Sequence, residues 1–222
     1  MSYFTQDYID FFNELSANNH KEWFDANRKR YQKSVKEPFE AFVKDMIIRI
    51  HADDPEVMIQ PRDGIFRINR DIRFSKDKTP YKTYMASIVS ATGRKDKGYP
   101  GIYFQLGPDA VRIYGGAHMV EKDPLYKIRK TISMNPGEFE TVINATDFKE
   151  KFGEIKGEKN KKLPPEFKDA AEKQPLIFNK QFYYGADLPP KHITSPTLGD
   201  LIMEYYFAAK PVKEFLRKAI YG

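Results

Sequence analysis

The densest run of chemistry-bearing side chains lies between residues 66 and 82: Phe66, Arg67, Ile68, Asn69, Arg70, Asp71, Ile72, Arg73, Phe74, Ser75, Lys76, Asp77, Lys78, Thr79, Pro80, Tyr81 and Lys82. Arginines are planar bidentate donors that match phosphate and carboxylate, lysines add point charge, and a tyrosine offers a hydroxyl or a stacking face. The chemistry this pattern suggests is recognition of an anion. The candidate ligand-binding set is Arg67, Arg70, Arg73, Lys76, Lys78, Tyr81 and Lys82, lining one anion-accepting concavity, with Asp71 and Asp77 orienting the bases. On a strand, Arg67 and Asn69 would point away from Phe66 and Ile68, so one side packs while the other presents a guanidinium beside an amide. A competing reading is a salt-bridged loop clamped onto a sheet, in which the neighbouring bases depress the aspartate pKa values. Both readings stand on the sequence alone.

Other chemistries are less well represented. With no cysteine, thiol catalysis, thiolate metal ligation and disulfides are excluded. Ser75 and Lys78 satisfy Ser-x-x-Lys, but the companion motifs of that nucleophile are missing. His20, His51, His118 and His192 are scattered, with no second histidine at helical metal spacing. No glycine-rich phosphate loop occurs. The expectation is therefore no metal and no cofactor. Proton transfer, if there is any, would fall to Lys78 or Lys82, crowded by other cations, or to His118, which follows Gly115 and Gly116. The sequence assigns no reaction.

The charge is concentrated where the motif is. Residues 60–98 hold ten bases and four acids, whereas residues 1–59 hold eight and eleven, within a chain of 222 residues and net charge +6. That local excess implies an anionic partner, first a phosphate- or carboxylate-bearing small molecule. The alternative is a non-enzymatic nucleic-acid-binding module, because Phe66, Phe74, Tyr81 and Tyr84 interleave the bases as stacking platforms would. The longest apolar run is residues 205–209, far short of a membrane span, and the acidic, aromatic start lacks a signal-peptide layout. The reading is a soluble cytoplasmic protein with no membrane partner.

Those side chains need a scaffold, and the pattern supplies one. Tyr8, Phe11, Phe12 and Leu15 fall on one helical face after Thr5, and Asn19 with Glu22 forms a capping-box pattern for a second helix. Pro38 predicts a kink or restart before Phe39, Phe42, Val43, Met46, Ile47 and Ile50. Residues 57–59, 65–68, 85–91, 102–106, 110–114 and 176–184 read as strands, with Gly107, Pro108 and Asp109 turning an antiparallel hairpin. Asp123-Pro124 and Asn135-Pro136 open two short helices, residues 149–162 read as an exposed linker, and Ser195-Pro196 caps a last helix that restarts at Pro211. The expected architecture is a single α+β domain over residues 1–222. A central antiparallel sheet of about five or six strands is packed by N- and C-terminal helices.

The chain also resembles a known family. Phe11, Phe12, Leu15, Asn18, Asn19, Lys21, Glu22, Trp23, Phe24, Asn27, Arg28 and Tyr31 carry the resemblance, followed by the runs 66–71 and 73–82. Gly101, Ile102, Tyr103, Phe104, Gly115 and Gly116 extend it. On these residues the sequence resembles the uncharacterised family catalogued as domain of unknown function 2461, over almost its whole length. The resemblance implies a single α+β domain of this size and leaves the chemistry open.

Overall fold

Apolar side chains at i, i+3, i+4 and i+7 share one helical face. In the computed structural model, which describes residues 2–222, that face is buried on α1 (Gln6–Ala17) through Tyr8, Phe11, Phe12 and Leu15. Thr5 is the N-cap residue, although its side chain makes no capping bond. The next helices are α2 (Lys21–Ala26) and α3 (Arg28–Arg30). The capping box expected of Asn19 is absent. His20 takes the N-cap position, with Nδ1 accepting the Trp23 N–H at 3.4 Å, because the Asn19 amide is used elsewhere. Pro38 does not kink a helix at its own position. One turn of π-helix (Tyr31–Lys36) precedes it, and α4 (Glu37–Asp53) begins with the proline in its first turn, where the missing N–H leaves no bond unmade.

After the four-residue α5 (Pro61–Gly64), four strands form one antiparallel sheet in sequence order: β1 (Met85–Val89), β2 (Gly101–Leu106), β3 (Val111–Ala117) and β4 (Phe182–Leu188). With helices at both ends of the chain, the fold is α+β. The hairpin of β2 and β3 closes where the sequence places it, with Gly107 N–H donating to the Ala110 carbonyl at 3.0 Å. Two expected strands fail. Residues 57–59 lie outside any strand, and residues 65–68 contribute only the isolated pairing of Ile65 with Ser87, followed by one of Asn69 with Tyr81. β-propensity registers a pleated, half-buried fit, and a ladder still requires a partner in register.

The connection from β3 to β4 carries α6 (Lys122–Met134), α7 (Pro136–Ile143), α8 (Thr146–Phe152) and α9 (Lys168–Lys173). The stretch expected as an exposed linker at 149–162 is mostly exposed, but it is tied to the fold at several points. Phe152 ends α8 buried, Ile155 is buried, and Lys156 exchanges backbone hydrogen bonds with Tyr183 at 2.6 and 3.1 Å. The strand expected at 176–184 is split, because Pro175 starts a short 3-10 turn (Pro175–Phe178) and β4 begins only at Phe182. The last helix, α10 (Leu198–Tyr221), runs through Pro211 without a restart.

The chain divides into two compact units. The first comprises Met1–Arg94, Tyr103–Ile113 and Asp187–Met203. Its core is aromatic: Phe4, Phe39, Phe42 and Phe104 meet edge to face or tilted, and the buried Tyr8 hydroxyl donates to the Leu106 carbonyl at 3.0 Å. The second comprises Lys95–Ile102, Tyr114–Ala186 and Glu204–Gly222. Here two glycines exist to receive rings. Tyr184 lies where a Cβ on Gly115 would meet its Cε2 at 2.6 Å, and the Tyr114 ring fills the corresponding space over Gly185. Arg129, buried on α6, donates to the carbonyls of Ile177 at 2.9 Å and Asn179 at 3.0 Å, and desolvation lowers its pKa.

The basic loop as candidate functional site

Residues 66–82 leave the edge of β1 and return to it. Phe66 N–H donates to the Ala86 carbonyl, Lys82 N–H to Ile68 and Arg70 N–H to Pro80, at 2.8–2.9 Å. Beyond the Arg70–Pro80 bond the pairing stops, so residues 71–79 form an irregular loop. Asn19 holds its base. The amide donates to the Tyr81 carbonyl at 2.9 Å and accepts the Tyr81 N–H at 3.0 Å, completing the pattern a neighbouring strand would supply. The Tyr81 ring is buried and stacked on Phe24 at 4.1 Å between centroids. Its place in the candidate set is therefore structural, not a ring offered to a ligand. Asn19 was readable as a cap, but its contact with a residue 62 positions away was not.

Inside the loop, Arg70 is the hub. Its guanidinium donates to Asp77 and Thr79 and, at 3.4 Å, to Ser75. Asp77 also accepts the Thr79 N–H at 2.9 Å, so the Asp-x-Thr turn and the arginine hold each other in place. Asp71 accepts from Arg73 at 2.7 and 3.0 Å. Lys78 Nζ donates to the Ile72 carbonyl at 2.9 Å and Lys82 Nζ to the Arg67 carbonyl at 2.8 Å, each joining the two limbs of the loop. Arg67, Arg73, Lys76 and Lys78 are exposed. Among the described residues, none accepts a hydrogen bond or ion pair from the side chains of Arg67 and Lys76.

The apolar frame inferred from alternation holds only in the first limb. Ile68 is buried and Phe66 packs edge-on against Tyr103 at 5.9 Å, whereas Ile72 is half-buried and Phe74 is 95% exposed. The reason is the loss of pairing after Arg70: without a partner strand, alternate side chains have no face to bury. Of the remaining catalytic candidates, His118 is exposed just past β3 in the second unit, its ring edge-on to Tyr183 at 5.2 Å. The Gly115-Gly116 pair that drew attention to it serves the packing of β3 and β4.

Both loop carboxylates lie well below their usual value of 3.8. Asp77 is held at about 2, first by the Thr79 N–H and then by Arg70. Asp71 is held at about 2 by the Arg73 side chain and N–H. A folded-state pKa below the unfolded one gives a contribution fully present above the unfolded value and lost as pH falls through the folded one. The expected result is a loop ordered at pH 5 that loosens between about pH 4 and pH 2. Protection factors of the Thr79 and Arg73 amides, measured by NMR and corrected for the intrinsic exchange rate at each pH, should fall in that window before those of the β2–β3 hairpin amides do. Equal protection of the loop at pH 5 and pH 2 would contradict the assignment.

Among the described residues, no helix is long and apolar enough to cross a membrane, and no three His, Asp or Glu side chains group to hold a metal ion. Fold and loop together define an α+β protein that presents an internally braced, basic loop at the edge of its sheet. The chain belongs to the family described as conserved hypothetical protein (DUF2461), whose model matches residues 7–215. No curated protein and no solved structure matches it.

Proposed function

We propose that the loop over residues 66–82 is an anion-recognition surface and that the protein works by binding a phosphate- or carboxylate-bearing molecule there. The observation carrying this reading is the division of labour among its charges. The loop holds six bases and two acids. The two acids engage Arg70 and Arg73, while the exposed Arg67 and Lys76 side chains make no hydrogen bond or ion pair among the described residues, Arg67 only adding its charge to the field at Asp71. A loop needing its bases only for structure would retain those that are braced. Cations held on an ordered backbone lose less freedom on meeting an anion.

Inorganic tripolyphosphate is a suitable probe. Isothermal titration of the intact chain should show saturable binding that weakens at least tenfold in the double variant Arg67→Ala/Lys76→Ala, because charge-assisted contacts contribute about 1.5–3 kcal/mol each. Stability should move by no more than about 0.5 kcal/mol, as for exposed sites generally. Equal affinity in the double variant, or no binding by the wild type, would overturn the reading.

A further inference from the structure

Resting on that anion-recognition reading, we infer that the anion is the backbone of a single-stranded nucleic acid and that Phe74 is the platform on which one of its bases stacks. Of the four aromatic residues interleaved with the bases, Tyr81 is stacked on Phe24, Phe66 packs on Tyr103 and Tyr84 is half-buried against Gly107. Phe74 differs: it is 95% exposed, within a loop fixed on both sides of it by Arg70, Asp77 and Asn19. Burying a phenylalanine is worth about 1.5–3 kcal/mol, so a ring left in water on an ordered loop forgoes a gain that a ligand can supply. The Arg73 guanidinium lies over one face of the ring at 5.8 Å from the centroid, and with the ring 95% exposed the opposite face is left for a base.

The rest of the loop fits the same occupant. Lys76 and Lys78 follow Phe74 within four residues and Arg67 lies on the first limb, so phosphates on either side of a stacked base would meet cations. Asp71 and Asp77, which would repel a phosphate backbone, are already engaged by Arg73 and Arg70. A duplex is the poorer fit, since residues 71–79 offer neither a helix nor a two-stranded ribbon for the major groove, and bases expose their faces only in single strands. An anionic membrane is also the poorer fit. Interfacial anchoring scales with buried apolar area, and Phe74 stands between Arg73 and Ser75.

The test uses fluorescence anisotropy of the intact chain with an oligodeoxythymidine of about 12 nucleotides, within the usual site sizes, and with inorganic polyphosphate as a base-free polyanion. Phe74→Ala should weaken oligonucleotide binding about five- to 150-fold, the span of one base–aromatic stack. Polyphosphate binding should stay unchanged, and Phe74→Trp should restore or improve the oligonucleotide affinity. Because the ring is exposed, circular dichroism of both variants should match the wild type. Equal loss or equal retention of both ligands in Phe74→Ala would overturn stacking while leaving anion recognition standing. Binding of neither ligand by the wild type would overturn both. Phe74-dependent binding to phosphatidylserine vesicles without oligonucleotide binding would replace the strand by a membrane surface and also overturn the inference.

Discussion

Gly116→Ala should lower the midpoint of thermal unfolding by about 6–12 °C. Gly116 has φ +91°, a region that a side chain enters only under strain, and an ideal Cβ there would press into the Phe182 carbonyl oxygen and lie 3.0 Å from the Tyr183 Cα. The strained backbone costs about 1–3 kcal/mol and the crowding a similar amount. In a chain of this length each 1 kcal/mol moves the midpoint by about 2–4 °C, so a total near 3 kcal/mol gives the shift stated. Backbone crowds this site, and no rotamer change relieves it. Gly137→Ala is the control: nothing lies within 4 Å of its Cβ position on α7, so the substitution should be neutral or raise the midpoint. Scanning calorimetry of the two variants checks both. If Gly116→Ala melted with the wild type, the close approach of β3 to β4 described here would be wrong.

The second large effect is expected from Asn19→Ala, a substitution outside the basic loop that should loosen it. Both ends of the Asn19 amide are spent on Tyr81, and truncation strands a backbone N–H and a carbonyl in a part-buried place. Each stranded group costs about 1–3 kcal/mol where water cannot replace the lost partner. Hydrogen exchange should show the Tyr81 amide losing protection, together with the Arg70 amide that pairs with Pro80. The amides of β2 and β3 should exchange as before. Tripolyphosphate affinity should fall as well, because the cations would no longer be held on a fixed backbone. Unchanged protection at Tyr81 would remove Asn19 from the account.

What could be read from the sequence follows the range of the interactions. The stripe on α1 and the Gly107-Pro108-Asp109 turn are local, set by residues within one or two turns of each other, and both stand in the structure as expected. The strand expected at 65–68 depended on a ladder that its own residues cannot supply, and only an isolated pairing formed. The Lys- and Glu-rich stretch at 149–162 concealed Phe152 and Ile155, whose burial depends on an edge of β4 that composition does not reveal. The site follows the same rule. Its charges, and the pairing of bases with Asp71 and Asp77, were legible because they are neighbours in the chain. Which cations would be braced, that Tyr81 would be buried under Phe24, and that Phe74 would stand in solvent depended on where backbone pairing ends.

On the proposed reading, an added anion is met by the loop over residues 66–82. Amide and arginine side-chain resonances of the intact protein, recorded while inorganic tripolyphosphate is added, test it directly. The largest shifts should fall on residues 67–78, with Arg67 and Lys76 foremost, while His118 and α10 stay in place. Shifts concentrated outside residues 66–82, or none at saturating tripolyphosphate, would contradict it.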